Sequence, residues 1–235
     1  MIKAVLFDFD GVLVDDEPVH CEVLLRVLRE EGIELSEKEY FRHYLGRDDP
    51  SCFVAAFAAA GRSIGETGVM RLVARKGAYF RERIREEGHR VLPGALDLVK
   101  DLRRAGAMLG VVTGAQREEV EAGLAAAGLW ESFKVIVTAS DVKEGKPAPD
   151  GYLLALQQLN SMAPLPPSLI HPHQALSIED SPAGIAAARS ADLLTLGVEH
   201  RYRGRELVDA DVVVESLAGL DLARLQSLFA EVSRR

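Results

Sequence analysis

The sequence has little of what several specialised protein classes depend on. Of its 235 residues only Cys21 and Cys52 are cysteine, and their spacing fits neither a disulfide framework nor a thiolate metal site. Both fall in apolar helical patterns, which reads as a pair of reduced core thiols. No apolar run reaches membrane-spanning length, and the opening residues place Lys3 inside a strand pattern rather than a leader with a small-residue cleavage site. Excess positive charge is also missing: 28 Lys and Arg stand against 36 Asp and Glu, a net charge of −8. That balance argues against a nucleic-acid or anionic-membrane partner. There are no internal repeats and no low-complexity tails. These absences lead us to expect a soluble, cytoplasmic protein that meets any anionic ligand with a few local cations or a metal; a monomer is favoured, and nothing in the sequence bears on oligomeric state.

What is present begins at Ile2–Asp15, which reads I-K-A-V-L-F-D-F-D-G-V-L-V-D. Ala4–Phe7 has the pattern of a strand buried on both faces, as in a parallel sheet. Asp8 and Asp10 then stand where the strand runs out. Side chains alternate along a strand, so the two carboxylates share one side, with Phe7 and Phe9 on the other. Like charges side by side at a buried strand end are costly unless a cation or a proton settles them.

From Pro18 to about Glu87 the chain shows helical periodicity and no convincing strand. Val19, Val23, Leu24, Val27 and Leu28 form one stripe, and Ser36 with Glu39 makes a capping box for a second helix. Residues 46–50 read as a loop before a third, alanine-rich helix, and Gly65–Gly68 as another break. Met70–Glu87 carries so many alternating charges that a solvated helix face is the simplest reading.

After Pro93-Gly94 the rhythm changes to alternating short strands and helices. Strands are expected at Met108–Thr113, Lys134–Thr138, Ala175–Glu179, Leu193–Gly197 and Val212–Glu215. Helices are expected between them, with a last one over Leu217–Val232. A proline-rich connection at residues 162–173 reads as a surface excursion. The pattern defines an α/β fold: a doubly wound, Rossmann-like parallel sheet core with an inserted all-helical cap domain. The expected division is residues 1–15 and 89–235 for the core and 16–88 for the cap.

An open parallel sheet binds its ligand at the carboxyl ends of its strands. The first ends in Asp8 and Asp10, the second in Thr113-Gly114, the third leads to Lys146-Pro147, and the fourth ends in Glu179-Asp180. Carboxylates for a hard cation, a hydroxyl, backbone N–H groups and an ammonium are what metal-assisted phosphoryl transfer needs. Pro147 biases Lys146 toward an extended, aimed conformation.

These segments, D-F-D-G-V-L-V-D, V-V-T-G, G-K-P-A-P-D and I-E-D-S-P-A-G-I-A-A-A, resemble the four motifs of the haloacid dehalogenase superfamily. The insertion after the first motif resembles the branch of β-phosphoglucomutase and related sugar-phosphate phosphatases. The resemblance implies a Mg²⁺-dependent phosphatase acting on a small phosphorylated metabolite through an aspartyl-phosphate. It implies Asp8 as nucleophile and Asp10 as general acid/base, with Thr113 and the Gly114 amide on phosphoryl oxygens and Lys146 paired to Asp8 and phosphate. The metal would take Asp8, the Asp10 carbonyl, Asp180 and Glu179, the last directly or through water. Asp10 argues against the dehalogenase members, which need no acid two residues after the nucleophile.

In the insertion, His20, Arg47 and Lys76 are the substrate-side candidates. His20 could instead be an ordinary surface or core histidine, and Arg47 and Lys76 ordinary solvated cations. Leu45-Gly46-Arg47 resembles the family's cap specificity loop. Asp15 reads either as a loop-orienting residue or as a helix cap. Asp16 departs from the family, which usually has Ser or Thr there, and this disfavours a mutase tied to that hinge.

Overall fold

A computed structural model describes every residue except Gly46, Pro164 and residues 233–235. The chain divides into two compact units, Met1–Asp15 with His89–Arg235, and Asp16–Gly88.

The first unit is built on six parallel strands: β1 (Ala4–Phe7), β2 (Met108–Val112), β3 (Val135–Val137), β4 (Ala175–Glu179), β5 (Leu194–Val198) and β6 (Val212–Val214), in the spatial order β3-β2-β1-β4-β5-β6. Alternation along β1 explains the two faces. Val5 and Phe7 pack with Leu98 and Val99 of α5 (Ala95–Arg104), Val120 and Leu124 of α6 (Arg117–Ala126), and Leu225 of α9 (Leu222–Val232). Ala4 and Leu6 pack on the opposite face with Tyr152, Ala155 and Leu159 of α7 (Asp150–Ser161) and Ala187 and Ala188 of α8 (Pro182–Ser190). With helices on both faces, the strand must be apolar on both, and all of β1 is buried.

The strand order reverses direction between β1 and β4, the switch point at which a doubly wound sheet opens a crevice at its carboxyl edge. The strand ends fall within one residue of expectation, and the last helix shifts most. Asp150 lies in the first turn of α7, with Pro149 at the cap position. The last helix begins at Leu222, not Leu217: Gly219 turns the chain at φ +76, and Asp221 Oδ1 accepts the Arg224 N–H at 2.7 Å. The connection after α7 contains a short 3₁₀ turn at Pro172–Gln174.

The second unit is helical: α1 (Glu17–Glu30), α2 (Glu37–His43), α3 (Asp49–Ala59) and α4 (Glu66–Glu87). Its core gathers Leu24, Val27, Leu28, Tyr40, Phe53, Phe57 and Leu72 with the free, buried thiols of Cys21 and Cys52. The capping box at the start of α2 is formed in full by Ser36 and Glu39. The break expected at Gly65–Gly68 is shorter than that: Gly65 caps α4 and Gly68 lies within it. The loop before α3 ends at Asp48, whose carboxylate accepts the Ser51 N–H at 2.7 Å, so Asp49 and Pro50 are already helical. Gly46 of that loop lies outside the described residues. Among the described residues no helix is long and apolar enough to cross a membrane.

Candidate active site

Register between β1 and β4 sets Phe7 beside Ile178, and the Asp8 N–H donates to the Ile178 carbonyl at 3.0 Å. Asp8 and Glu179 therefore leave adjacent strands at nearly the same level. Beyond Asp8 the chain folds back at once: the Gly11 N–H donates to the Val14 carbonyl at 2.7 Å, and the Leu13 and Val14 N–H groups donate to Phe9. Gly11 adopts φ +81, and a Cβ there would overlap the Asp180 carboxylate. Glycine is needed both for the turn and for the close approach. Gly184, in the first turn of α8, plays the second part alone, since a Cβ on it would overlap the Glu179 carboxylate.

Lys146 bridges the two acids, its Nζ lying 3.0 Å from Asp8 Oδ1 and 2.6 Å from Glu179 Oε1. The Lys146–Pro147 peptide is cis. The Phe9 N–H also donates to Asp8 Oδ1, at 2.7 Å. Glu179 is fully buried and accepts a second hydrogen bond at Oε1 from the Tyr152 hydroxyl. Asp180 is buried, and its Oδ2 takes no hydrogen bond among the described residues. Asp10 is half-buried. Thr113, one residue past β2, is buried; its Oγ1 accepts the Ala115 N–H at 3.1 Å. Gly114 beside it is exposed, with open space around its Cα.

Oxygen atoms of Asp8, Glu179 and Asp180 lie within 4.8 Å of one another, and all three residues are buried. Burial pushes the Glu179 carboxyl up to about 7; Lys146 opposes the rise and Asp8 adds to it. Burial likewise pushes Asp180 up to about 8, opposed by the Arg201 guanidinium and reinforced by Asp8. For Lys146, burial pulls downward, but the charges of Asp8 and Glu179 hold its ammonium above the ordinary lysine range. A group of desolvated carboxylates that still lacks positive charge is a donor set suited to a hard divalent cation.

One reading left open by the sequence is decided here. Asp15 orients the loop rather than capping a helix: it meets His200 Nε2 at 3.1 Å and Arg90 at 3.7 Å, while Asp16 holds the cap position of α1. Ser181 caps α8, its hydroxyl accepting the Gly184 N–H at 3.1 Å, and Glu179 and Asp180 precede the cap.

Within the helical unit, His20 and Lys76 come together. Lys76 Nζ is 3.0 Å from His20 Nδ1 and 2.5 Å from Asp49 Oδ1, and the His20 ring stacks on Phe80 with centroids 4.2 Å apart. Lys76 is 4% exposed, so it lies not on the solvated, charged face but on the buried side of α4. Val69, Leu72, Lys76, Phe80 and Ile84 are its buried positions, and helical spacing puts them on one stripe. Arg47 borders a groove with His43, Tyr44 and Glu39.

Sequence reasoning missed Tyr152 and Arg201. The spacing of α7 marks Tyr152 as core, and nothing in it shows that the hydroxyl finds Glu179. Replacing Tyr152 by Phe keeps the ring and removes one hydrogen bond to a charged acceptor, an interaction of roughly 1.5–3 kcal/mol. The expected result is about a tenfold fall in kcat/KM with little change in secondary structure, checked by steady-state kinetics and circular dichroism. Unchanged kinetics would mean that Lys146 alone suffices to hold Glu179.

The chain belongs to the haloacid dehalogenase-like hydrolases, whose family model matches residues 2–192. Among particular proteins, it is 33% identical over 220 residues to validoxylamine A 7'-phosphate phosphatase of Streptomyces hygroscopicus subsp. limoneus, covering 92% of this chain and 95% of that one. The structure of CbbY from Rhodobacter sphaeroides in complex with phosphate is 29% identical, with a TM-score of 0.83 and coverage of 96% and 100%. That of β-phosphoglucomutase from Clostridium difficile is 25% identical, with the same TM-score of 0.83 and both chains covered in full.

Proposed function

We propose that the protein is a Mg²⁺-dependent phosphomonoesterase acting on a small sugar phosphate through an aspartyl-phosphate. The observation that carries this reading is Lys146 held between Asp8 and Glu179 at adjacent strand ends, 3.0 Å and 2.6 Å away. Membership of the family and likeness to a validoxylamine A 7'-phosphate phosphatase and to a phosphate-bound CbbY support it.

In this reading an Asp8 carboxylate oxygen attacks phosphorus as the ester oxygen departs, and Asp10 gives its proton to that oxygen. Asp10, now ionised, takes a proton from water as the water attacks the aspartyl-phosphate. Inorganic phosphate leaves and Asp8 is regenerated. Thr113, the Gly114 N–H and Lys146 bind the equatorial oxygens, where charge is spread in the transition state. Asp8, the Asp10 carbonyl, Asp180 and Glu179 would hold Mg²⁺, which supplies charge to offset the phosphoryl oxygens as the acid approaches them. The helical unit would act as a lid and read the leaving group through His20, Arg47 and Lys76. Because Asp49 already settles the Lys76 charge, that lysine is better suited to a hydroxyl-rich leaving group than to a second phosphate.

The test is a panel of phosphorylated metabolites with Mg²⁺, scored for inorganic phosphate and for positional isomers with a sugar bisphosphate primer present. Phosphate release, fastest on sugar or polyol monophosphates, is expected. Isomer formation without phosphate release would replace this reading with a mutase, and inactivity on the panel and on a generic aryl phosphate would indicate a binding module.

A further inference from the structure

Lys146 serves Asp8 and Glu179, but the third acid of the cluster, Asp180, is faced by a different cation. The loop after β5 brings Arg201 to it, with Nη1 3.7 Å from Asp180 Oδ2. That distance is right for charge attraction and too long for a hydrogen bond. The Arg201 side chain is only 14% exposed, and that of Asp180 3%, so both charges have left bulk water. A buried guanidinium needs a charge partner as much as a buried carboxylate does.

The loop that presents Arg201 is tied down on both sides of it. The Glu199 N–H donates to the Val214 carbonyl at 2.8 Å, and Glu199 Oε1 accepts the Gly204 N–H at 2.7 Å. Next to Arg201, His200 meets Asp15 at 3.1 Å. The backbone from which the guanidinium extends is thus fixed, and Gly11 packs against the same Asp180 carboxylate. Asp180 is thus flanked by two elements far apart in sequence.

We propose that Arg201 is a positioning residue that acts as the resident counter-cation of the metal site. It holds the Asp180 carboxylate oriented and charge-compensated while the metal is absent, and it yields that compensation when a divalent cation binds. The inference rests on the reading of Asp8, Glu179 and Asp180 as a Mg²⁺ site. Both consequences of losing Arg201 have the same sign. Without it the metal-free site carries uncompensated buried acid and is less stable, while the metal meets less competing positive charge. Metal-linked stabilisation must therefore grow.

The experiment compares thermal unfolding of the full chain with and without MgCl₂, for the native protein, Arg201→Met and Arg201→Lys. Arg201→Met should lower the metal-free midpoint more than the Mg²⁺-loaded one, so that the Mg²⁺-induced rise is at least about twice the native rise. Arg201→Lys, which restores the charge, should bring the rise back toward the native value. A parallel drop in both states would show a merely structural role and overturn the proposal. So would an equal rise in all three proteins. Should Arg201→Met fail to fold without metal, Arg201→Gln carries the same comparison under the same criteria. No Mg²⁺-induced rise in the native protein would instead remove the metal-site reading itself, and the proposal with it.

Discussion

Asp8→Asn is expected to abolish turnover, with kcat falling roughly 10⁴-fold or more, while the protein remains folded. An amide cannot form the acyl-phosphate bond, so the loss is of the chemical step and not of binding. The local structure tolerates the change for identifiable reasons. An asparagine Oδ1 can still accept the Phe9 N–H, now 2.7 Å from Asp8 Oδ1, and the Lys146 ammonium at 3.0 Å. Lys146 also keeps Glu179 at 2.6 Å. Removing one negative charge from a buried cluster whose oxygens lie within 4.8 Å relieves repulsion, so the thermal midpoint should hold or rise. Phosphate release and thermal unfolding, measured on the same preparation, check both halves. Activity near the native level in this variant would end the assignment of Asp8 as nucleophile.

The sheet and its site were legible in the sequence to the extent that they depend on local periodicity. Ala4–Phe7 is apolar on both faces because α5, α6 and α9 cover one and α7 and α8 the other, and such a run can be recognised without knowing the partners. Asp8 and Glu179 could be placed at strand ends for the same reason. What could not be read is who meets whom across the ends. Lys146 bonds a residue 33 positions away in Glu179, and Tyr152 looks like any core aromatic until its hydroxyl is seen to donate to that same acid. Arg201 sits beyond β5, whose end carried no residue that the sequence marked as chemical. The basic run His200-Arg201-Tyr202-Arg203 directly after an apolar strand was the available signal. Lys76 was hidden differently. Its neighbour Arg75 does pair on the surface with Glu30 and Glu31, and the density of charge masked the apolar stripe on which Lys76 falls. The helical period itself carries Lys76 onto that stripe.

Lys146→Met should damage both stability and catalysis, and the two losses can be separated. The ammonium is the link between Asp8 and Glu179, and its raised pKa keeps it protonated throughout the neutral range. With the folded value above the unfolded one, its contribution to stability is fully present at neutral pH and is lost only as pH rises through the folded value. Methionine fills similar space but leaves buried acids without their cation, a change worth about 3–5 kcal/mol. For a chain of this length that corresponds to a fall of roughly 10 °C in the midpoint of the metal-free protein. Catalysis should fall by roughly 10³-fold, because the equatorial phosphoryl oxygens lose a preorganised cation in a desolvated site. Adding Glu179→Gln to Lys146→Met removes the stranded charge opposite the lost ammonium while keeping an acceptor for the Tyr152 hydroxyl. Thermal stability should then recover much of its loss, and kcat should not. Recovery of both would mean that Lys146 only balances Glu179. Recovery of stability alone, with Glu179→Gln by itself keeping most of its kcat, would place the ammonium on the reacting phosphoryl group, because that single variant accounts for the loss of the Glu179 carboxylate from the acid cluster.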